Sequence, residues 1–222
     1  MRVLITVLTI SLITYSVTFS QNPDVNKDSL QPKGKPFHMP VETNNNWSIN
    51  ILFSDNGFGA GATLFQQLSK NISLFEGLYF SGAKDDREFE ATDIFGNTFT
   101  PYKVNRLFMI PVNLGIQVRL FREDVTDNLR PQINFGLSPT AVIYTPYDIA
   151  FFPSFGYSRA KYTLGAFAGI GVDYLTSRKS SLSMNVRYYY TKLFGKGIES
   201  LKDNEKNYFG GLYFVFSYNF MK

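Results

Sequence analysis

Residues 130–144 read RPQINFGLSPTAVIY, and every second side chain from Pro131 to Ile143 is apolar. The side chains between them are small or polar until the end of the stretch: Gln132, Asn134, Gly136, Ser138 and Thr140. Alternation with a period of two residues is typical of a β-strand whose two faces meet different surroundings. Soluble sheets and membrane sheets both show it, so the fold depends on which face meets water.

Similar alternation recurs along the chain and predicts eight strands. The eight segments are 46–54, 58–68, 72–83, 104–121, 130–144, 161–176, 181–192 and 207–220. The first connection, residues 55–57 (DNG), is a tight-turn signal. The later connections alternate between long ones (84–103, 146–160, 193–206) and shorter ones (69–71, 122–130, 177–180). Successive hairpins therefore place long loops at one end of the sheet and short turns at the other.

The polar face of these segments carries few charges. Charged residues make up 18% of the chain, which is below the roughly 25% of typical soluble domains. The charges well inside the strands are Glu76, Arg106, Arg119, Asp173 and Arg187. A soluble barrel covers its outer face with charged side chains, whereas Gly, Ser, Thr, Asn and Gln fit a narrow polar lumen. The pattern predicts an inside-out barrel whose bulky, aromatic face contacts lipid.

Lipid offers no hydrogen-bond partners, so a sheet that faces it has to close on itself. Tyr162 and Tyr174 share a face and, at roughly 3.3 Å per residue and a tilt near 40°, lie about 30 Å apart along the barrel axis. That spans an apolar band about 25 Å tall and places the two tyrosines at opposite interfaces. The predicted interface girdle is Tyr162, Tyr174, Tyr208, Tyr218 and Phe220. The predicted fold is all-β: an eight-stranded antiparallel up-and-down transmembrane β-barrel with short periplasmic turns and longer extracellular loops.

The residues before the first strand divide into two parts. Residues 1–20 begin with one basic residue, Arg2, continue as an apolar stretch and end in small residues, as in a signal peptide cleaved after Ser20. Residues 21–45 are polar and rich in Pro, Asn and Lys, which is typical of a flexible periplasmic linker. The barrel domain is therefore predicted to be 46–222, and its predicted location is the cell outer membrane.

The composition excludes several classes of chemistry. The chain has no cysteine, which rules out disulfides, thiolate metal sites, cysteine nucleophiles and a lipid anchor on an N-terminal cysteine. Its single histidine, His38, lies in the predicted linker, whereas a Ser–His hydrolase needs a histidine at the barrel wall. We therefore predict that the protein is not an enzyme and that it holds no cofactor or metal. A net charge of +4 without a Lys/Arg cluster does not indicate nucleic-acid binding.

Five stretches resemble the PorT-like outer-membrane β-barrel family of Bacteroidota-type Gram-negative bacteria. They are 71–84 (NISLFEGLYFSGAK), 106–121 (RLFMIPVNLGIQVRLF), 130–144 (RPQINFGLSPTAVIY), 164–174 (LGAFAGIGVDY) and 210–220 (GGLYFVFSYNF). The last stretch also resembles the C-terminal signal that the barrel-insertion machinery reads, with Met221 and Lys222 following Phe220 here. The resemblance covers about 46–220. It implies export, insertion into the outer membrane and, as for some members, a link to protein secretion.

An eight-stranded barrel is just wide enough inside for its side chains, which argues against a large diffusion pore. We predict that inward polar residues form a hydrogen-bonded plug, with a proton or ion path as the alternative. The predicted lumen residues are Glu76, Asn113, Gln117, Arg119, Gln132, Asn134, Asp173, Asn185 and Arg187. Glu76 shares its parity with Leu74 and Leu78, so either it interrupts the lipid face or a bulge resets the register. In the lumen, Glu76 would pair with Arg119, because unpaired buried charges are costly.

The long loops are the predicted binding region. Loop 146–160 carries aromatic residues that either bind a partner or dip into the outer interface: Tyr147, Phe151, Phe152, Phe155 and Tyr157. The acidic run in loop 84–103 lacks the regular ligand spacing of a calcium loop and is interpreted as a solvated charge run.

The predicted function is a structural or partner-binding barrel that is accessory to protein secretion. The alternatives are a narrow channel for small solutes or ions and an adhesin that acts through its aromatic loops. The expected partners are outer-membrane lipid, the barrel-insertion machinery during biogenesis, and outer-membrane or secretion-system proteins.

Overall fold

The computed structural model describes residues 45–121, 128–177 and 179–221, in which the eight alternating segments form eight long strands. The strands are numbered in chain order together with the short strands of the connections, which are described below. The eight long ones are β1 (Asn45–Ser54), β2 (Gly57–Gln67), β3 (Ile72–Ala83), β6 (Asn105–Arg119), β7 (Leu129–Pro146), β8 (Arg159–Ser177), β9 (Ser180–Thr191) and β12 (Gly211–Met221). The bounds differ from the predicted ones by a few residues at most. The predicted signal peptide, 1–20, and the predicted linker up to residue 44 lie outside the described residues.

The long connections contain small elements that the alternation did not predict. They are β4 (Ala91–Thr92) with β5 (Thr98–Phe99), the helical turn α1 (Phe151–Ser154) with the 3₁₀ turn Phe155–Tyr157, and β10 (Ile198–Leu201) with β11 (Asn204–Lys206). No helix in the described part of the chain is both long enough and apolar enough to cross a membrane.

The eight long strands close into an antiparallel up-and-down barrel. Around the wall their order is β1-β12-β9-β8-β7-β6-β3-β2, and β2 pairs with β1 to close the ring. Each long strand therefore pairs with the long strands before and after it in the chain, and the first pairs with the last over residues 46–54. The predicted closed eight-stranded barrel is confirmed.

The two faces of the wall have the predicted polarity. In β7, Gln132, Asn134 and Ser138 are buried inside, whereas Phe135 and Leu137 are exposed outside. Exposed apolar side chains cover the outward face of seven of the eight long strands, and those of β6 are partly exposed; we call this surface the apolar belt. Its members include Trp47, Ile51, Leu64, Leu78, Leu137, Ile170, Met184 and Phe216. Folding in water would leave this belt without an apolar partner.

The strands are strongly staggered around the ring. We start at Met221 in β12 and step from each residue to the residue paired with it in the next strand around the ring. After one full turn this path returns to β12 at Gly211, ten residues from the start. The residues on this path are Met221, Asn46, Phe65, Phe75, Gly115, Gly136, Phe167, Tyr189 and Gly211. A stagger of this size in eight strands corresponds to a tilt of about 40° and a lumen that side chains fill.

Two glycines test this close packing. A methyl group at Gly136 would clash with the backbone of Leu114 and Gly115, whereas one at Gly82 would meet nothing within 4 Å. We expect Gly136→Ala to destabilise the refolded barrel by about 1–3 kcal/mol, since backbone has to move to admit the methyl group. The matched control Gly82→Ala should change stability by less than about 0.5 kcal/mol. Urea unfolding, followed by the gel-mobility difference between folded and unfolded barrel, measures both, and equal midpoints would contradict the packing described here.

Candidate functional site

Polar side chains of β7, β8 and β9 form one hydrogen-bonded network inside the barrel. Gln132 Nε2 donates to Asp173 Oδ1 at 2.7 Å, and Asn134 Nδ2 donates to Asn185 Oδ1 at 3.0 Å. Gln132 Nε2 also lies 3.3 Å from the same Asn185 oxygen, which joins the two pairs. Side chains two residues apart in a strand lie on the same face, so Gln132 and Asn134 both project inward from β7 into this network.

Eight of the nine predicted lumen residues project into the lumen. Asn113, Gln132, Asn134, Asn185 and Arg187 are buried there. Gln117, Arg119 and Asp173 line the same interior closer to the short-turn end. Their role as a hydrogen-bonded plug, and not as a proton or ion path, stays a prediction.

The exception is Glu76. Its cross-strand neighbours are Leu64 and Leu114, and it alternates with the exposed Leu74 and Leu78 on the outward face of β3. The register of β3 is continuous with both neighbours across Glu76, so no bulge resets it. Placing Glu76 in the lumen was therefore wrong, and so was its pairing with Arg119, which projects from the other face of the wall.

A layer of aromatic rings crosses the lumen above the polar network. Its ring centroids follow one another at 5.8, 5.9, 5.2 and 5.0 Å. The rings of this aromatic layer are, in order, Phe65, Phe75, Phe167, Tyr189 and Tyr213. Leu52, Tyr79 and Val215 complete the same buried cluster. Aromatic contacts of this kind add about 0.5–1.5 kcal/mol each to the burial of the rings.

Glycine makes room for the layer. Phe75 and Phe167 belong to strands that are separated by β6 and β7, and the residues between them on the register path are Gly115 and Gly136. A Cβ atom at Gly115 would lie 2.8 Å from Phe75 Cζ and 2.9 Å from Phe167 Cζ. Sequence reasoning missed this layer. The available signal was the pairing of inward aromatic residues with inward glycines at matching positions of neighbouring strands.

The long-loop end of the lumen is sealed by a second apolar cluster. Leu193, Ile198 and Phe209 come from the last long connection, and they pack on the inward residues Leu107, Met109 and Val142 of β6 and β7. Phe209 and Val142 are fully buried. The lumen is thus closed at two levels, by the aromatic layer and by this mouth cluster.

Charged residues tie the long loops together over the mouth. Lys103 Nζ lies 2.6 Å from Glu88 Oε2, and the other carboxylate oxygen of Glu88 accepts hydrogen bonds from Ser200 Oγ and from the backbone N–H of Asp85. Arg87 binds Asp85 through Nε at 2.9 Å. Asp85 and Glu88 of the acidic run therefore belong to an ion-pair network and are not solvated as predicted, whereas Asp86 and Glu90 are exposed. Within the described residues, no three carboxylate or histidine side chains are grouped as a metal site.

Two opposing influences set the pKa of Asp85. Burial raises it, but the hydrogen bonds donated by Arg87 and the positive charges of Arg87 and Lys206 lower it by more, so the pKa lies below the ordinary value. A carboxylate with a lowered pKa contributes stability above the unfolded-state pKa and loses it as the pH falls through the folded-state value. The Asp85 contribution is therefore complete at neutral pH and disappears only below about pH 4.

The aromatic residues of loop 146–160 separate into two groups. Phe155 stacks on Phe108 of the outward face with ring centroids 5.6 Å apart, and Phe151 meets the same ring edge-on at 6.2 Å. Tyr147 lies under the guanidinium of Arg106 at 4.6 Å. These three rings extend the outer wall. Phe152 and Tyr157 instead remain largely exposed.

The predicted girdle residues lie on the outer wall. Tyr162, Tyr174 and Tyr218 are about half exposed. Phe220 stacks on Trp47 at 4.1 Å near the short-turn end. Tyr208 shares a hydrogen bond of 2.8 Å with Tyr188 near the long-loop end. Rings are thus gathered at both ends of the apolar belt.

The hairpin of β4 and β5 holds two apolar side chains out in solvent. Ile94 is 94% exposed and Phe95 is 82% exposed. The turn is nevertheless well defined, because Asp93 Oδ1 accepts the backbone N–H groups of Phe95 and Asn97 at 2.8 Å and Gly96 adopts a φ of 84°. Hydrogen bonds from Asn97 lower the pKa of Asp93, so this acceptor is charged at neutral pH. We call Ile94 and Phe95 the hairpin tip. Sequence reasoning overlooked it because the surrounding loop is acidic.

Comparison with known proteins shows likeness in architecture alone. No family model matches the chain, and no curated protein matches it in sequence. Among solved structures, the chain is similar to the N-terminal β-barrel domain of Pseudomonas aeruginosa OprF (12% identity, TM-score 0.48, 81% of this chain and 98% of that one). It is also similar to Neisserial surface protein A (9%, 0.49, 80% and 94%) and to a major outer membrane protein from Thermus thermophilus (14%, 0.49, 79% and 99%). Membership of the PorT-like family stays a prediction.

Glu88 provides a test of the loop network. Glu88→Gln leaves the ammonium group of Lys103, whose side chain is 16% exposed, without its counter-charge. We expect local opening of the loops to become easier by about 2 kcal/mol, which raises the rate of tryptic cleavage in loops 84–104 and 192–210 roughly thirtyfold.

The matched control is Glu205→Gln, which keeps every trypsin site. Its ion pair with Lys196 is exposed, at 37% and 83% of the two side chains, so its loss should change the cleavage rate no more than about fivefold. Similar cleavage rates for the two variants would show that Glu88 does not hold the loops.

Proposed function

We propose that this chain is an outer-membrane β-barrel that neither catalyses nor conducts, and that it binds a protein partner through its long-loop end. The apolar belt supports the membrane assignment, because exposed apolar surface on all sides of a closed sheet matches hydrocarbon and not water. The gathering of aromatic rings at both ends of the belt supports it as well. The short turns then face the periplasm and the long loops face outward.

The closed lumen supports the proposal that the barrel does not conduct ions. The aromatic layer crosses the lumen with ring contacts of 5.0–5.9 Å. The mouth cluster adds a second barrier beneath the loops. A hydrated ion that passes would have to displace packed rings and then break apolar loop contacts, whereas channels keep a continuous polar path. A narrow channel is therefore less favoured than a closed barrel that does not conduct.

Planar-bilayer recording tests this part. We expect the refolded chain to insert without stable conductance steps, because neither barrier opens without repacking. The matched reference is Phe75→Ala combined with Phe167→Ala and Leu193→Ala, which thins both barriers and should produce brief openings. Stable nanosiemens-scale steps from the unaltered chain would contradict a closed lumen and favour the channel.

The hairpin tip supports the proposal that the long-loop end binds a protein partner. A turn that is fixed by Asp93 and Gly96 presents Ile94 and Phe95 to solvent with no apolar neighbour to cover them. Ordered exposed apolar side chains of this kind mark contact sites, because their burial against a partner costs little conformational entropy. The PorT-like resemblance suggests that the partner belongs to the outer membrane or to a secretion system. The adhesin alternative would use the exposed rings of Phe152 and Tyr157 in loop 146–160.

Site-specific photocrosslinking in cells tests the hairpin tip. A photoreactive phenylalanine in place of Phe95 should form one discrete protein adduct, and Ile94→Asn in the same chain should reduce it severalfold. The control carries the photoreactive residue at Lys202, an exposed position at the same end of the barrel. Adducts with lipid alone, or the same protein adducts from both positions, would contradict a partner-binding tip.

A further inference from the structure

An open cleft lies at the long-loop end of the barrel, beside the mouth cluster. Its volume is about 820 Å³, within the roughly 300–1,000 Å³ of most ligand sites. Three parts of the chain form its walls: the adjoining ends of β6 and β7, residues 156–159, and residues 196–205 of the last long connection. The ionisable residues of its lining are Tyr144, Tyr157, Arg159, Lys196, Glu199 and Glu205. The cleft is thus large enough for a small organic ligand.

Hydrogen bonds hold the walls of this cleft in place. Lys161 Nζ donates to the carbonyl oxygens of Lys196 and Gly197 at 2.6 and 2.7 Å, which ties the last long connection to β8. Asn105 Nδ2 donates to the carbonyl oxygen of Glu199 at 2.7 Å, which ties β10 to β6. Because the walls are already fixed to the barrel, a ligand that binds between them orders little of the chain.

The two carboxylates of the cleft are engaged within the chain, but its arginine is not. Glu205 accepts the backbone N–H of Gly197 at 3.0 Å and lies 3.3 Å from Lys196 Nζ. Glu199 Oε1 accepts a backbone N–H of the turn between β10 and β11 at 2.9 Å. Arg159 is exposed and makes no hydrogen bond or ion pair with any described residue. Its N–H donors are therefore open to a ligand.

We propose that this cleft binds a saccharide, with Arg159 donating to its oxygens and Tyr157 packing on its C–H face. The proposal goes beyond the function proposed above, since neither Ile94 nor Phe95 lines the cleft. The lining carries two cations and two carboxylates, so it gives no net attraction for an ion of either sign. A sugar supplies both hydroxyl donors and oxygen acceptors, which suits a wall of mixed polarity.

The side chains of the walls suit a sugar better than they suit a peptide or an apolar ligand. A guanidinium presents its N–H donors in a planar fork, and two neighbouring oxygens of a sugar ring can accept from it together. The ring of Tyr157 is 65% exposed and offers a flat apolar surface with a polar hydroxyl. Peptides bind mostly through apolar side-chain anchors. The aliphatic and proline side chains of the lining are Ile198, which is buried, and Pro146 alone.

Binding is measured on a microarray of neutral, carboxylated and sulfated oligosaccharides, with the full chain in a detergent that has no sugar headgroup. We expect the chain to bind array members that share a sugar unit, and the three groups of oligosaccharide show whether that unit is neutral or acidic. The best oligosaccharide is then titrated into the chain by calorimetry. No binding on the array, or no heat of binding up to about 10 mM, would overturn the proposal and leave the cleft to a peptide.

Two pairs of variants assign the binding to the cleft, and all four altered residues are exposed, so the barrel should fold in each case. Arg159→Gln should weaken binding about tenfold, whereas Lys202→Gln removes a charge outside the cleft at the same end and should stay within about twofold. Tyr157→Leu should weaken binding severalfold, whereas Phe152→Leu, in the same loop but outside the cleft, should stay within about twofold. Equal affinities within both pairs would show that the sugar binds elsewhere and would overturn the proposal.

Discussion

Closure of the backbone hydrogen-bond ring is the constraint on which the rest of this structure depends. Strand β1 pairs with β2 over residues 45–54 and with β12 over residues 46–54, so the wall has no free edge. Once every wall strand has two neighbours, the main chain needs no water along the wall. The outward side chains are then free to be apolar on all sides, and the inward side chains have to fill whatever space the stagger of the strands leaves.

That space is small, and it explains the composition of the lumen. A uniformly small and polar interior, as the alternation alone suggests, would leave the upper lumen empty. The chain fills it with the aromatic layer, and the inward Gly115 leaves the space in which the rings of Phe75 and Phe167 meet across two strands. The polar network lies below this layer and the apolar mouth cluster above it. The character of the lumen therefore changes from polar to aromatic to aliphatic along its length.

The sequence predicted the wall of the barrel well, but it predicted the arrangement of side chains in the lumen only in part. Strict alternation in segments such as 130–144 determines the strand, its outward face and, through repetition, the eight-stranded ring. Phe167 could be assigned to the lumen by its parity, but a period of two does not reveal that it meets Phe75, because that contact depends on the register of four strands. The structure of the loops was harder still to predict from the sequence. Glu88 and Lys103 are brought together by hairpin geometry that leaves no periodic pattern in the sequence.

The position of Glu76 shows how the register of a strand is decided collectively. A one-residue slip of β3 would move this carboxylate from the apolar belt into the lumen, but it would also move Phe75 and Tyr79 outward. The slip would break the ring contacts of Phe75 with Phe65 and Phe167, and the 2.7 Å hydrogen bond between Tyr79 and Thr63. It would also turn the apolar outward residues of β3 into the polar interior. One carboxyl group on the belt costs less than these losses together, because the Glu76 side chain is only partly buried. A single charged residue therefore does not overturn the face that the rest of its strand selects.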